Sequence, residues 1–264
     1  MIQVLKQKFQ LEVQIAEELI LRPKQITPQH DLYILKSHSE WWLSIAGILH
    51  HQGAHFINPY PACAILQDKI ITLRYLGISG VPTPRTWING SRELLFEIVA
   101  DIPLILKPYD GKRCKGVVLV SIVEELAELP PQKQVIVAQE YIENANQELL
   151  KVYIIGDQVF ALRKPSWPNQ LSGNGHPCPV SREICAIALR CGQAFDLRLY
   201  GIDVIEGSQG PMVIDMNYFP SYRGIPEAGQ HLADYVTWYA NNDESALPEV
   251  DLKSVELVNT NHGG

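Results

Sequence analysis

The sequence lacks the features that mark membrane, secreted and disulfide-bonded proteins. No apolar run approaches the roughly 20 residues that a membrane-spanning helix needs, and the first residues, MIQVLKQKFQLEVQ, lack the segments of a signal peptide. The 5 cysteines are odd in number and form no Cys-x-x-Cys pair, which argues for a reducing compartment. From these absences we expect a cytoplasmic protein with no membrane partner.

An excess of positive charge is also missing. The 264 residues include 22 Lys and Arg against 29 Asp and Glu, which gives a net charge of -7. This balance disfavours binding to nucleic acid or to anionic membranes, so any local cluster of basic residues needs its own explanation. The hydrophobic content of 46% is sufficient for the core of one large domain or two small ones, and the oligomeric state stays open.

Apolar periodicity and turn residues predict a strand-rich centre between two more helical ends. Residues 1–65 form a short α/β unit, with a strand over 31–36, a helix over 40–53 and a short strand before a proline-rich turn near residue 60. Residues 66–240 form the main domain, and the polar stretch 241–264 is a frayed tail. In the main domain we predict helices over 65–77, 91–101, 181–195 and about 227–240, strands over 104–108, 117–120, 135–142, 148–155, 158–163, 200–207 and 211–219, and a loop over 167–179, with Ser91 and Ser181 as N-caps.

The last two predicted strands contain a set of oxygen ligands. Asp203 lies in GIDVI, and Asp215 and Asn217 lie in VIDMN. Residues i and i+2 of a strand share a face, so Asp215 and Asn217 project together, and a hairpin between the two strands lets Asp203 join them. Two carboxylates and an amide oxygen suit Mg²⁺. The structural alternative is a pair of acids near a turn that point into water.

A basic loop lies between two predicted strands in LILKPYDGKRCKGVVLV, residues 104–120. A glycine-flanked loop between strands is a common way to cover a nucleotide phosphate. Lys112, Arg113 and Lys115 lie between the flanking glycines, where they either contact an anionic ligand or are solvated loop charges.

Three further lysines and one strand end fit a nucleotide site. Lys107 ends an apolar strand and Lys151 lies inside one, so each is either a phosphate ligand or a lysine on the solvent side of the sheet. Lys69 lies in a helix, where a solvated charge is the plain alternative. The segment VIVAQEYIE either presents backbone groups to an adenine edge or simply ends a strand.

The order of these motifs resembles that of ATP-grasp enzymes. LKP, a glycine loop, VAQEYI, KVYIIGD, GIDV and IDMN follow one another between about residues 60 and 240. The resemblance implies an ATP-grasp fold of class α+β, in which two subdomains clamp ATP, with a small lid over about 104–142 and a shortened N-terminal domain. It implies that Asp203, Asp215 and Asn217 bind Mg²⁺, with Mn²⁺ as an alternative metal. It also implies a nucleotide site of Lys69, Lys107, Gln139, Glu140, Tyr141, Ile142, Lys151 and Ser166.

Two branches of the ATP-grasp enzymes fit the details. GPMVIDMNYFPSYRGI and DKIITLRYLGISGVPTP are similar to stretches of RimK-type glutamate ligases, but those usually have Asp-x-Arg where this chain has Leu149-Leu150-Lys151. LLKVYIIGDQVFALRKPS looks more like the inositol 1,3,4-trisphosphate 5/6-kinases, and LYILKSHSE resembles their N-terminal stretch with a substrate-binding lysine. Those kinases place histidines in the opening loop, where this chain has two lysines and an arginine.

The leading hypothesis is therefore an ATP- and Mg²⁺-dependent phosphotransferase that acts on a small polyanionic acceptor. Phosphoryl transfer depends mainly on positioning and charge neutralisation, so no dedicated nucleophile is needed, and Lys115 and Lys151 are the candidate catalytic residues. The alternatives are a carboxylate–amine ligase that works through an acyl phosphate, and a catalytically silent nucleotide-binding module. The predicted acceptor site comprises Lys36, Lys112, Arg113, Lys115, Arg163, Lys164 and Arg223.

Overall fold

A computed structural model of the chain describes residues 1–8, 20–109, 116–130, 135–144, 146–166 and 175–242. Within these ranges the strands form a two-stranded, a four-stranded and a five-stranded sheet, with helices packed around them. The two larger sheets are antiparallel, so the fold belongs to the predicted α+β class. No helix in the described ranges has the length and apolar character that crossing a membrane requires.

The N-terminal part contains the smallest sheet. β1 (Tyr33–Ile34) pairs in parallel with β2 (Phe56–Ile57), and α2 (Glu40–His51) connects them. The hydroxyl of Ser39 caps α2 by accepting a hydrogen bond from the amide of Trp42. α1 (Ile2–Lys8) packs against the last described helix, so the first residues contact the C-terminal half of the fold. The domain boundaries at residues 65 and 240 stay predictions.

One face of the four-stranded sheet packs against a hydrophobic core, and the other face borders a cleft. Its strands lie in the order β3 (Thr86–Asn89), β6 (Ile136–Glu140), β4 (Leu104–Pro108) and β5 (Val118–Val120). α5 (Phe96–Asp101) and α6 (Val123–Glu128) cover the first face, where Leu104 and Leu106 are buried. Because side chains alternate along a strand, Ile105 and Lys107 point to the other face, beside α4 (Lys69–Ile78).

The five-stranded sheet forms the larger core. Its strands lie in the order β11 (Gly210–Tyr218), β10 (Leu199–Gly207), β7 (Glu148–Ile155), β8 (Gln158–Pro165) and β9 (His176–Cys178). α7 (Arg182–Phe195) and α8 (Ala228–Asn241) contribute buried residues to this core. Ser181 caps α7, as predicted, by accepting a hydrogen bond from the amide of Ile184 at 3.2 Å.

A β-bulge interrupts the pairing of β10 with β11. Asp203 lies opposite Asp215, whereas the next pair joins Val204 to Val213, so Ile214 is the extra residue on β11. The extra residue of a bulge is not paired in the hydrogen-bond ladder, and the strand bends at this point. The bulge therefore lies directly beside the two predicted carboxylate ligands.

Prolines explain two departures from the predicted elements. α3 (Tyr60–Ile65) replaces the predicted turn, and Pro61 lies in its first turn. The amides of the first turn of a helix make no intrahelical hydrogen bond, so a proline is tolerated there. β9 lies inside the predicted loop 167–179 as an edge strand, the position in a sheet that tolerates Pro177.

The remaining departures concern short elements and helix starts. The predicted helix 91–101 is divided into a 3₁₀ turn (Arg92–Leu95) and α5, and the Ser91 hydroxyl donates to Glu93 instead of capping. α4 begins at Lys69 rather than at residue 65, because Asp68 is its N-cap. α1, β3 and α6 are absent from the prediction, and the tail after residue 242 lies outside the described residues.

Candidate active site

A deep cleft separates the four-stranded sheet from the five-stranded sheet. Its floor is formed by β10, β11 and β7, its roof by the helix-free face of β4 and β6, and one side by α4. Residues from all of these elements line it, among them Lys69, Lys107, Gln139, Glu140, Tyr141, Ile142, Ser166, Asp203 and Asp215. The structure thus brings most of the residues of the predicted nucleotide site to one cavity.

The oxygen ligands of the predicted metal site lie on the floor. Asp203 and Asp215 are direct cross-strand partners, and Asn217 follows two residues later on the same face. The side-chain amide nitrogen of Asn217 donates a hydrogen bond to the Asp215 carboxylate at 3.1 Å. The side-chain oxygen of Asn217 takes no part in this bond. Two facing carboxylates and an amide oxygen are hard donors, and these residues fit a Mg²⁺ ion that keeps some positions for phosphate oxygens or water.

Lys151 neutralises one of these carboxylates. It lies opposite Asp203 on β7, and its ammonium group is 2.7 Å and 2.8 Å from the two carboxylate oxygens. Burial lowers the pKa of Lys151, but the charge and the hydrogen bond of Asp203 act together with the charges of Tyr153 and Asp215, and their sum raises the pKa overall. Burial raises the pKa of Asp203, with the neighbouring charge of Asp215 adding to the effect and Lys151 opposing it. Lys151 is thus a protonated cation beside the proposed metal ligands.

Lys107 links the roof to the floor. Its ammonium group donates to the side-chain oxygen of Gln139 at 2.7 Å and to the main-chain oxygen of Ile214 at 3.3 Å. Gln139 is buried and in turn donates to the Thr86 hydroxyl at 3.3 Å. The bulge makes the Ile214 carbonyl available, since a bulged residue is only partly engaged in the ladder.

Lys69 lies at the N-terminus of α4, against the end of β4. Its ammonium group donates to the carbonyl oxygens of Pro108 at 3.4 Å and of Tyr109 at 3.2 Å. The preceding residue, Asp68, accepts from the amides of Ile70 and Ile71 and, at 2.6 Å, from the Tyr109 hydroxyl. Asp68 and Tyr109 are absent from the predicted site, although an aspartate before an apolar helix is a recognisable N-cap signal.

The strand end at 139–142 is held by its neighbours. The Glu140 amide donates to the Arg85 carbonyl at 2.9 Å, and the Tyr141 amide donates to the Pro103 carbonyl at 2.9 Å. The Glu140 carboxylate accepts from Arg85 at 2.8 Å and 3.2 Å, and this hydrogen bond lowers the pKa of Glu140. Ile142 lines the cleft just beyond the strand. The pairing with Arg85 has no signal in the sequence, because the two residues are 55 positions apart along the chain.

The predicted acceptor residues do not all meet in the cleft. Arg163 lies on the opposite face of the five-stranded sheet, where it is 2.7 Å from Glu206 and 3.7 Å from Glu148. Lys164 lies on the cleft face, and Lys36 donates to the Pro220 carbonyl at 3.2 Å and contacts the ring of Phe219. The sequence could not distinguish these environments. Lys112, Arg113 and Lys115 lie outside the described residues, and Arg223 is exposed on the turn after β11.

The two-sheet clamp and the oxygen and lysine groups in its cleft define an ATP-grasp protein. Residues 66–236 match the RimK-like ATP-grasp domain, so the chain belongs to the RimK-like ATP-grasp family.

Curated relatives of the chain are named as ligases. It is 27% identical over 218 residues to a probable alpha-L-glutamate ligase of Cellvibrio japonicus, covering 74% of this chain and 69% of the relative. It is 28% identical over 193 residues to a probable alpha-L-glutamate ligase of Legionella pneumophila, covering 67% of this chain and 63% of the relative. The chain thus spans about two thirds of the length of these relatives.

Solved structures share the fold. A RimK domain ATP-grasp protein from Sphaerobacter thermophilus is 19% identical with a TM-score of 0.69, covering 91% of this chain and 94% of that chain. D-cycloserine synthetase DcsG is 18% identical with a TM-score of 0.63, covering 85% and 87%. The ATP-grasp ligase PsnB, solved with a minimal precursor, Mg and ADP, is 21% identical with a TM-score of 0.57, covering 75% and 66%.

These comparisons overturn the prediction of a kinase that resembles the inositol 1,3,4-trisphosphate 5/6-kinases. The matching family is RimK-like, and the relatives are named as glutamate ligases. The misleading stretch, 149–166, is the hairpin of β7 and β8. This hairpin brings Lys151 to Asp203 on the cleft floor, and a positive charge there suits phosphoryl transfer to any acceptor, so the motif does not distinguish a kinase from a ligase.

Proposed function

We propose that this protein is an ATP- and Mg²⁺-dependent carboxylate–amine ligase that works through an acyl phosphate. A carboxylate oxygen attacks the γ-phosphorus of ATP and the bond from that phosphorus to the ADP oxygen breaks. An amine then attacks the carbonyl carbon, phosphate leaves, and the amine nitrogen loses a proton. The names of the curated relatives support L-glutamate as one of the two substrates.

The observation that carries this proposal is the facing pair of Asp203 and Asp215 with Lys151 beside it on the cleft floor. The two carboxylates and Asn217 would hold Mg²⁺, and Mn²⁺ suits the same oxygen donors. The metal supplies charge neutralisation for the transferred phosphoryl group when it is bound. Lys151 holds a positive charge next to that position, where it favours the charge that develops on the phosphoryl oxygens.

The nucleotide is proposed to bind along the cleft from α4 to the end of β6. Lys69 and Lys107 face the cavity with ammonium groups that now bind carbonyl and amide oxygens, so phosphate oxygens can replace those acceptors. The apolar residues Ile105, Val137 and Ile142 provide surfaces for the base, and Ser166 lies at the edge of the same cavity. Gln139, Glu140 and Tyr141 form the backbone rim at which the adenine edge would bind. Lys115 remains a predicted catalytic residue outside the described part of the chain.

Hydroxylamine provides the test, because it traps acyl phosphates as hydroxamates whatever the natural amine is. We expect ADP release and hydroxamate formation in equal amounts when the protein is incubated with Mg²⁺-ATP, hydroxylamine and a panel of mono- and dicarboxylic acids that includes L-glutamate. Omitting the carboxylate should stop both. ADP release without hydroxamate from any acid in the panel would contradict the ligase.

A further inference from the structure

The cleft floor continues beyond the facing carboxylates. The carboxylate row lies in register across β7, β10 and β11 and consists of Lys151, Asp203 and Asp215. Two residues further along each strand, a second set in register forms the distal row: Tyr153, Gly201 and Asn217. Because residues i and i+2 of a strand share a face, the distal row lies on the cleft side, roughly 6–7 Å from the carboxylate row.

The distal row lies on the far side of the carboxylate row from the proposed base site. A Cβ added to Gly207 would lie 2.5 Å from Cγ2 of Ile142, so the segment after β6 meets the floor at the end of β10. The distal row lies in the other direction along β10, at Gly201. In an in-line phosphoryl transfer the attacking oxygen approaches from the side opposite the ADP oxygen. The distal row therefore borders the space left for the carboxylate substrate.

Tyr153 leans from β7 across the floor towards β10. A Cβ added to Gly201 would lie 3.3 Å from Cδ1 of Tyr153 and 3.1 Å from Cγ of Pro220, so the absence of a side chain at Gly201 lets both rings lie close. The ring of Tyr222 also packs against Tyr153, with 5.6 Å between the ring centroids. These neighbours hold the Tyr153 ring in place, so little side-chain freedom is left to lose when a ligand binds.

The hydroxyl of Tyr153 makes no hydrogen bond within the described part of the chain, although only 6% of the residue is exposed. Three other buried tyrosines of the same core donate to main-chain oxygens at 2.6–2.9 Å: Tyr200, Tyr218 and Tyr222. Buried tyrosine hydroxyls usually have such a partner, so an exception beside a cleft indicates a ligand that provides it.

The chemistry of the hydroxyl suits a donor. Burial raises the pKa of Tyr153, the charge of Lys151 lowers it and the charge of Asp203 raises it, with a rise overall. An ordinary tyrosine has a pKa of about 10, so Tyr153 keeps its proton throughout the neutral range. It can therefore donate a hydrogen bond to an oxygen that becomes negative, but it does not act as a base towards an amine.

We propose that Tyr153 is a catalytic residue of the second step, in which its hydroxyl donates a hydrogen bond to the acyl oxygen when the amine attacks. The inference rests on the ligase function. The carbon–nitrogen bond forms while the π electrons of the carbonyl move to its oxygen, and the hydroxyl stabilises this charge without losing its own proton. The carbonyl then re-forms, phosphate leaves with the electron pair of its bond to carbon, and the nitrogen proton passes to water.

The second step is favoured over the first by position. In the first step the charge develops on phosphoryl oxygens, which lie at the carboxylate row beside Lys151. The acyl carbon is attached to the oxygen that attacks phosphorus, so it lies on the distal side of that row. The hydroxyl of Tyr153 is the neutral donor that the distal row offers there, next to the side-chain amide of Asn217.

Tyr153→Phe tests this role, because it removes the hydroxyl and keeps the ring. With the acid that gives most hydroxamate, kcat/KM for hydroxylamine should fall roughly 100-fold, the loss typical of one oxyanion donor. The rate of ADP formation in the first turnover, measured without hydroxylamine, should stay within about threefold of the wild type, because phosphoryl transfer does not use the hydroxyl. The melting temperature should not fall, since no hydrogen bond within the protein is lost.

Tyr222→Phe is the matched control from the same wall of the cleft. It loses the hydrogen bond to the Ile154 carbonyl at 2.9 Å, so its melting temperature should fall while its kcat/KM for hydroxylamine stays unchanged.

Three results overturn the role of Tyr153 while the ligase function stands. They are an unchanged kcat/KM for hydroxylamine in Tyr153→Phe, an equal loss in both steps, and a loss of stability as large as that of Tyr222→Phe. Absence of hydroxamate from every acid in the wild type removes the ligase function and this inference with it.

Discussion

At the scale of single residues, Asp215 is a side chain that the fold itself does not require. It is exposed to the cleft, and it accepts a hydrogen bond from the Asn217 amide. We expect Asp215→Asn to reduce hydroxamate formation at least roughly 100-fold, because it keeps the shape but removes one charge from a site that must offset phosphate charge. The melting temperature of the ligand-free protein should stay within a few degrees of the wild type. Asp157→Asn, at the turn between β7 and β8, is the matched control and should keep full activity. Near wild-type turnover of Asp215→Asn at saturating Mg²⁺ would exclude this residue as a metal ligand.

The ion pair of Arg85 and Glu140 predicts a dependence of stability on pH. The hydrogen bond from Arg85 lowers the pKa of Glu140 in the folded protein, so the stabilisation is present above the ordinary glutamate pKa of about 4.3 and is lost as the pH falls through the lower folded value. Arg85→Gln should therefore lower the free energy of unfolding at pH 7 and have less effect near pH 3. The effect is small because the Arg85 side chain is 62% exposed and water screens the pair.

Urea denaturation at several pH values measures this difference. Arg74→Gln is the control, because it removes the same charge from an exposed helix position with no ion pair to a described carboxylate. A difference between Arg85→Gln and the wild type that does not shrink towards acid pH would show that the carboxylate of Glu140 is not involved.

At the scale of secondary-structure elements, only one of the two predicted N-caps forms a capping hydrogen bond. The Ser181 hydroxyl accepts from the Ile184 amide at the start of α7, whereas the Ser91 hydroxyl makes no capping bond. Ser181→Ala should therefore reduce the free energy of unfolding by about 1 kcal/mol, the usual loss for a capping hydroxyl, and Ser91→Ala by clearly less. Chemical denaturation of the two variants measures both values. Equal losses would mean that the hydroxyls act in the same way.

The sequence predicts an element well when neighbouring residues encode both its apolar pattern and its start or end. β7 has the predicted bounds, since an apolar run ends at Gly156-Asp157 and nothing competes with a hairpin there. α7 combines an N-cap with apolar spacing. β3 and β9 have only four and three residues. β3 pairs with β6, which is distant in sequence, and β9 pairs with β8 across a loop. Tertiary pairing decides such short strands, and a local pattern does not contain it.

The candidate site shows the same division between local and distant information. Strand alternation was enough to group Asp215 with Asn217, and the hairpin added Asp203. It was not enough to separate Arg163 from Lys164, because the choice of face depends on which side of β8 becomes the cleft. The Ile214 carbonyl, which accepts a hydrogen bond from Lys107, is a main-chain group that a bulge exposes, and it has no residue signature.

At the scale of the whole molecule, ligand binding should couple the two sheets that form the cleft. A ligand at 100 times its dissociation constant stabilises the native state by about 2.7 kcal/mol, so we expect Mg²⁺-ATP to raise the melting temperature by roughly 5–10 °C in a protein of this size. Lys107→Met should reduce this shift, because the side chain lies between roof and floor. Lys24→Met, on an exposed 3₁₀ turn, should leave it unchanged. Thermal unfolding with and without nucleotide tests this, and no shift at millimolar Mg²⁺-ATP would remove the nucleotide site.

If the nucleotide binds as proposed, the oxygen partners of Lys69, Lys107 and Lys151 would be exchanged for phosphate oxygens. Each ammonium group already binds protein oxygens at 2.7–3.4 Å: two carbonyls for Lys69, an amide and a carbonyl oxygen for Lys107, and a carboxylate for Lys151. Phosphate oxygens would replace these acceptors one for one, so the number of hydrogen bonds would change little. The affinity would then depend on how much stronger the hydrogen bond to a phosphate oxygen is than the bond to the protein oxygen that it displaces. The displaced oxygens of Asp203 would then be available to the proposed metal ion. The protein oxygens thus avoid the cost of unpaired lysines before the nucleotide binds, and binding would free a proposed metal ligand.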